Sequence, residues 1–274
     1  VIEVLATGPL ATVQDSGRLG YAGLGVARAG AFDRAALRAA NRLVGNPPGA
    51  AGIEFVHGGL VVRCTVASTV AATGAVCAGF GWGVARTVAA GSVLRFGAPA
   101  AGLRSYLAVR GGIDVEPELG SRSTDTLGGL GPAPLASGDV LAVGPQPGGP
   151  VPAADTPPRF SAPAGFRIVA GPRDDWFAPA ALDALISTLW TVRPDSDRVG
   201  IRLDGPPLLR ARSGELPSEP TLPGALQVPP DGRPILFGPD APTTGGYPVI
   251  AVVRDADLDG AAQLRPGDPV RFNR

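Results

Sequence analysis

Three stretches of the sequence hold residue types dense enough to do chemistry. The first runs from Thr12 to Arg34 and spaces Gln14, Asp15, Arg18, Asp33 and Arg34 among Gly17, Gly20, Gly23, Gly25 and Gly30. A glycine-rich loop entering a helix can turn consecutive N–H groups toward an anion, while an arginine such as Arg18 neutralises its charge. The stretch lacks both the lysine of a P-loop and the strand-then-GxGxxG order of a dinucleotide site, so it matches neither motif. Its spacing fits a structural loop closed by an Asp15–Arg18 pair as well as it fits a ligand site.

The second stretch is Pro194-Asp195-Ser196-Asp197-Arg198-Val199-Gly200, followed by Arg202 and Asp204. Alternating charges of this kind usually decorate a solvated face. The chain has one histidine, His57, placed between a strand-like run and Gly58-Gly59, with no nucleophilic serine beside it in sequence. His57 therefore reads as structural, and a Ser-His-Asp triad is not expected. Without a Cys/His cluster, no metal site is expected either. The third stretch holds Leu226-Gln227-Val228-Pro229, Asp240 and Thr243-Thr244-Gly245-Gly246-Tyr247-Pro248. Two hydroxyls, two glycines and a phenol in five residues can clasp a small polar ligand, and they can equally form a strand-to-strand turn.

Composition narrows the chemistry further. Acidic and basic residues balance at 24 each, so nothing global attracts a nucleic acid. Every basic residue is Arg, which excludes a Walker A loop, a Schiff-base lysine and a biotinylated carrier lysine within this chain. Oxyanions must then be met by arginine forks, backbone N–H groups or metal. Cys64 and Cys77 lie in apolar, strand-like surroundings and read as small buried hydrophobes. No apolar run approaches the roughly 20 residues of a spanning helix, and a cytoplasmic protein that avoids membranes is expected.

The elements that must position these residues are mostly strands. Glycine and proline supply 40 and 30 of 274 residues, and the apolar signal has period two: Ile2 and Val4; Leu60, Val62, Cys64 and Val66; Tyr106 to Val109 before Gly111-Gly112. Short strands closed by glycine imply a barrel or sandwich. An echo of tight turns feeding strands recurs at Gly91, Gly138 and Gly267. Two amphipathic helices interrupt the pattern, one over Phe32–Val44 ending at Gly45-Asn46-Pro47, the other carrying Leu182, Leu185, Ile186, Leu189 and Trp190. A Pro/Ala/Gly-rich segment separates a β-rich part at 1–147 from another at 166–274, with 148–165 as connector, unless both form one intertwined unit.

Motif order across the chain adds a resemblance. Thr12-Val13-Gln14-Asp15-Ser16-Gly17-Arg18, Gly30-Ala31-Phe32-Asp33-Arg34, Ala39-Ala40-Asn41-Arg42-Leu43-Val44-Gly45-Asn46, Leu119-Gly120-Ser121-Arg122-Ser123-Thr124-Asp125, Ser196-Asp197-Arg198, Pro223 to Pro229 and Thr244-Gly245-Gly246-Tyr247-Pro248 together resemble the family of 5-oxoprolinase C subunits. That family is also called allophanate hydrolase subunit 2, within the biotin-dependent carboxyltransferase domains. The resemblance implies a mainly β, cyclophilin-like barrel architecture and a kinase-inhibitor-like partner, the B-type subunit. With a further, A-type subunit, such complexes hydrolyse 5-oxoproline to glutamate using ATP, with Mg²⁺ as a possible companion ion. Relatives in urea amidolyase instead pass a carboxyl group from carboxybiotin to urea, so biotin enters only on that alternative; other relatives act as regulatory binding modules for the kinase-inhibitor-like partner. On family-like positions, Arg18 and Arg198 are assigned to substrate or phosphate anions, and Asp15 and Asp33 to orienting them. Gln227, Thr244, Gly245, Gly246 and Tyr247 are assigned to the small-molecule pocket. Pro220, Pro242-Thr243 and Val249 depart from the family's usual residues.

Overall fold

The computed structural model describes residues 1–151, 165–214 and 216–274. Most of the expected 148–165 connector lies outside the described residues. The chain divides into two compact units, Val1–Arg18 with Ala29–Ser161, and Leu19–Arg28 with Ala162–Arg274.

In the first unit the strands are β1 (Ile2–Thr7), β2 (Leu10–Gln14), β3 (Gly52–Val56), β4 (Leu60–Cys64), β5 (Ser68–Gly74), β6 (Arg86–Val88), β7 (Val93–Arg95), β8 (Arg104–Val109) and β9 (Val140–Leu141). They form a four-stranded sheet in the order β7-β4-β1-β9 and a five-stranded sheet in the order β2-β3-β8-β5-β6. Period-two alternation decides which residues meet between the sheets. Ile2, Val4, Leu60, Val62 and Cys64 join Val13, Ile53, Phe55, Leu107 and Val70 in one buried cluster. Each large side chain there is worth about 1.5–3 kcal/mol of burial.

The other face of the five-stranded sheet is covered by α1 (Arg34–Leu43). Ala40, Leu43 and Val44 pack on Ala71 and Ala108, while Ala36 and Leu37 pack on Tyr106. Both helix ends are capped. The Asp33 carboxylate accepts from the Ala36 N–H at 2.9 Å, the usual N-cap device. At the other end Gly45 adopts φ +73°, its N–H bonds to the Arg42 carbonyl at 3.0 Å and the Asn46 N–H to the Asn41 carbonyl at 2.8 Å, a Schellman closure. The Asn46 side chain then donates to the Val109 carbonyl and accepts from the Gly111 N–H, each at 2.8 Å. This ties the helix end to the Gly111-Gly112 turn after β8.

The second unit contains β10 (Phe166–Ala170), α2 (Ala181–Ser187), β11 (Trp190–Val192), β12 (Gly200–Asp204), β13 (Glu219–Pro220), β14 (Ala225–Gln227), β15 (Ile235–Phe237), β16 (Thr244–Gly245), β17 (Val249–Val253), α3 (Leu258–Ala261), β18 (Pro269–Val270) and β19 (Phe272–Asn273). Eight strands run in the order β18-β11-β12-β15-β14-β17-β10-β19. The two end strands are separated in sequence by Arg271 alone, so the sheet curls into a near-closed barrel that leaves little free edge. β13 and β16 form a separate two-stranded ribbon.

The mainly β architecture agrees with the sequence, with two differences in the helices. The second helix stops at Ser187, because Thr188 is extended and Trp190 enters β11. Trp190 is fully buried and donates its indole N–H to the Leu185 carbonyl at 2.9 Å. It therefore packs under the helix instead of continuing it. The short α3 had no apolar repeat to announce it. The three echoed turns are real as turn chemistry: Gly91, Gly138 and Gly267 all have φ between 81° and 99°, and each precedes a strand.

Candidate functional site

The first unit builds its polar site where β2 ends. Asp15, just beyond that strand, accepts from the Ser121 and Ser123 hydroxyls, each at 2.6 Å, from the Gly17 N–H at 2.8 Å and from the Arg122 N–H at 2.7 Å. Its own N–H donates to Ser123 Oγ at 2.9 Å. Asp15 thus clasps the Ser121–Ser123 segment onto the strand. Arg18, 2% exposed, donates from Nε to the Glu118 carbonyl at 3.1 Å and from Nη2 to the Ser123 carbonyl at 2.6 Å. The expected Asp15–Arg18 pair is therefore not formed, because serines and backbone N–H groups already fill the carboxylate. Gln14 joins the same neighbourhood through Nε2, which donates to the Thr124 carbonyl at 3.0 Å and to Thr12 Oγ1 at 3.1 Å.

Asp33 caps α1, and its N–H donates to the Tyr106 hydroxyl at 2.7 Å. Tyr106 in turn donates to Glu54 Oε2 at 2.7 Å, and that oxygen also accepts from the Phe32 N–H at 3.0 Å. Arg104 lies 3.5 Å from Glu54 Oε1 and 4.5 Å from the centre of the Phe32 ring. Strand register explains the grouping, since Glu54 faces Tyr106 directly across β3 and β8. Burial, with the Glu54 and Asp33 carboxylates close by, pushes the Tyr106 phenol well above its ordinary range. The cluster holds the start of α1 in place, and sequence reasoning missed it. The available signal was a glutamate between Ile53 and Phe55, which puts it on the face opposite the core.

In the second unit Arg198 is 1% exposed and forms a fork with Asp240, Nε to Oδ2 at 2.9 Å and Nη2 to Oδ1 at 2.8 Å. Charged groups this deep persist when paired. The loop leading to it is ordered by Asp197, whose Oδ1 accepts from the Val199 and Gly200 N–H groups at 2.8 and 3.0 Å. Ser196 Oγ accepts from the Arg202 N–H at 3.0 Å. His57 stands in the first unit at φ +58°, in the turn between β3 and β4.

The third candidate stretch does come together. Gln227, at the end of β14, donates to the Tyr247 carbonyl at 3.1 Å. A Cβ on Gly245 would lie 2.5 Å from Gln227 Nε2, so only glycine lets that amide lie across the ribbon. Thr244 and Tyr247 are exposed, and Gly246 is half-buried. The ribbon register sets Glu219 opposite Gly245, and Glu219 receives a forked Arg173. Hydrogen bonding to Arg173 holds the Glu219 carboxyl below its usual range. Neither Arg173 nor Glu219 was singled out from sequence, where they sit 46 residues apart in proline-rich surroundings. Two concavities of this unit lie away from the predicted residues: one of ≈ 450 Å³ beside Asp174, Asp175 and Asp183, the other of ≈ 170 Å³ between Arg193, Arg202 and Arg233.

Cys64 and Cys77 are buried and not joined in a disulfide. Among the described residues there is no group of three or more His, Cys, Asp or Glu able to hold a metal ion, and no helix long and apolar enough to cross a membrane.

The chain is 39% identical to the C subunit of 5-oxoprolinase from Escherichia coli K12, an alignment covering 99% of this chain and 90% of that protein. It is 34% identical to urea amidolyase of Lachancea kluyveri, where the alignment covers 98% of this chain and only 17% of the relative. Among solved structures, TTHA0988 superposes with a TM-score of 0.89 at 37% identity over 100% of this chain. This chain spans about half of the TTHA0988 chain, 55% of its length. The sequence profile described as "Carboxyltransferase domain, subdomain A and B" matches residues 24–274. With that match across most of its length, the chain belongs to the carboxyltransferase domain family.

Proposed function

We propose that this chain is one subunit of an ATP-dependent amide hydrolase complex that opens the lactam of 5-oxoproline to glutamate, working in the cytoplasm with partners of the B and A types. The observation that carries the reading is sequence similarity: the chain is 39% identical to a 5-oxoprolinase C subunit over 99% of its own length, against 34% for a urea amidolyase. The chemistry requires activation, because an unstrained lactam resists water. Transfer of the γ-phosphoryl group of ATP to the lactam oxygen releases ADP and turns that oxygen into a leaving group. Water then adds at the carbon, the ring nitrogen departs with a proton, and a second water releases phosphate, leaving glutamate. Negative charge gathers on oxygen throughout, which buried arginines and N–H donors stabilise.

In this reading Arg18 serves the first unit's site, Arg198 with Asp240 fixes the loop before Thr243, and Gln227, Thr244, Gly245, Gly246 and Tyr247 clasp the small molecule. Asp33 keeps the start of α1 in register. ATP, with Mg²⁺ as its companion, is shared with the partner subunits. The family name itself favours a second reading, carboxyl transfer to a urea-like amide. The absence of lysine from this chain requires the biotin to arrive on another carrier. Purified chain mixed with its B-type and A-type partners decides between them. The first reading expects 5-oxoproline-dependent ADP release without biotin, and strict dependence on a biotinylated carrier refutes it.

A further inference from the structure

Four buried side-chain atoms in one neighbourhood of the first unit have no hydrogen-bond partner among the described residues: Gln14 Oε1, Arg18 Nη1, Thr124 Oγ1 and Asp125 Oδ2. Their residues are 0%, 2%, 2% and 2% exposed. They adjoin one another through the backbone, since Gln14 Nε2 bonds to the Thr124 carbonyl and Arg18 Nη2 to the Ser123 carbonyl. Buried polar atoms left unpaired cost about 1–3 kcal/mol each, so four gathered in one place point to a partner outside the protein.

The identity of the atoms restricts that partner. Arg18 Nη1 can only donate, Gln14 Oε1 and a carboxylate Asp125 Oδ2 can only accept, and Thr124 Oγ1 does either. A simple anion would satisfy Arg18 and be repelled by Asp125. A cation would do the reverse. A neutral amide or ureido group presents a carbonyl oxygen to Arg18 and N–H groups to Gln14 and Asp125.

The Thr126–Gly131 turn, three of whose six residues are glycine, lies against two of these residues. Asp125 Oδ1 accepts from the Leu127 and Gly128 N–H groups at 3.0 and 2.8 Å, forming a turn whose residues 126–129 are exposed. A Cβ on Gly128 would lie 2.5 Å from Asp125 Oδ2, and one on Gly131 would lie 2.6 Å from Arg18 Nη2. The turn therefore rests directly on both charged residues. Beside it, Leu119 holds φ +51° at 39% exposure, a conformation costly for a branched apolar side chain.

We propose that Gln14, Arg18, Thr124 and Asp125 form a binding site of the first unit for an amide or ureido group, additional to the clasp assigned to Gln227 and Tyr247 in the second unit, and that the Thr126–Gly131 turn is the flap that admits it. The ligand class rests on the reading given under Proposed function, whereas the placement rests on the donor and acceptor pattern. The test is calorimetric titration of the full chain with urea and with 5-oxoproline, using acetate as the simple-anion control. Thr124→Val keeps the side-chain shape and removes the hydroxyl; Asp125→Asn replaces an acceptor by a donor. Arg167→Gln, in the other unit, is the neutral control. At least one amide should bind the wild type and the control better than acetate does, with each site variant weakening it by about tenfold or more. Should a variant fail to fold, a crystal of the wild type soaked in urea reads the same point, with the urea oxygen on Arg18 Nη1. Absence of amide binding, binding unchanged in both variants, or only water on the four atoms in the soaked crystal overturns the proposal. If the reconstituted complex ignores 5-oxoproline while urea binding still depends on Thr124 and Asp125, the functional reading fails and the site stands.

Discussion

Replacing Asp15 tests how the first unit's site is assembled. Its carboxylate accepts four hydrogen bonds, two from serine hydroxyls and two from backbone N–H groups. Three of them end on Oδ1 and one on Oδ2, so Asp15→Asn can keep the three on its remaining oxygen. The fourth is lost, and the new NH₂ group faces the Arg122 N–H. A hydrogen bond to a charged group is worth about 1.5–3 kcal/mol, which is the expected cost of Asp15→Asn. Asp15→Ala removes all four acceptors, but the serine hydroxyls can rotate to other partners. The expected cost is about 3–5 kcal/mol instead of the full sum. A loss of about 3 kcal/mol lowers the melting temperature by roughly 6–12 °C in a unit of this size. Because Ser123 also supplies the carbonyl that holds Arg18 Nη2, both variants should raise the KM for 5-oxoproline in the assembled complex. Calorimetric melting and steady-state kinetics read the two effects. An Asp15→Ala protein within about 0.5 kcal/mol of wild type, or Asn and Ala variants equal in cost, would refute the clasp.

Other perturbations follow from the same geometry. Tyr106→Phe removes both the donor to Glu54 and the acceptor for the Asp33 N–H, so denaturant unfolding should show a loss of about 1–3 kcal/mol. The raised Tyr106 pKa means its contribution is complete below the ordinary tyrosine range and is lost as pH rises through the folded value; its phenolate absorbance should appear only with alkaline unfolding. Gly245→Ala places a methyl group against Gln227 Nε2, and the complex should bind substrate more weakly while the melting temperature barely moves. Arginine partners hold the Glu219 and Asp257 carboxyls below their usual range. Their stabilisation is present above the normal carboxylate pKa and lost as pH falls through the lowered one, and Arg173→Gln should flatten part of that acid-side decline in melting temperature.

Much of the fold was legible because it rests on local rules. Alternation marked the core strands and Gly45-Asn46-Pro47 marked the end of α1, whereas the Asp33 cap at its start showed only in the structure. Trp190 misled because its spacing from Leu182 to Ile186 fits a helix, while its burial in β11 depends on β12 and β18, which the local pattern does not contain. The grouping of the candidate residues was legible by composition and hidden in its pairing. Gln227, Gly245 and Tyr247 read as one group and lie together in the structure. Arg18 was matched to the nearest carboxylate in sequence, yet Asp15 is filled by Ser121 and Ser123, over 100 residues away. Partner choice at that separation is set by strand register and loop packing, which single-residue spacing does not encode.

The central claim is that this chain is a required part of an ATP-driven lactam hydrolase. The most direct measurement is the yield of ADP and glutamate from 5-oxoproline by the purified partners with and without this chain. Glutamate should form one-for-one with ADP only when the chain is present. Equal turnover in its absence, or ADP release that does not depend on 5-oxoproline, would contradict the claim.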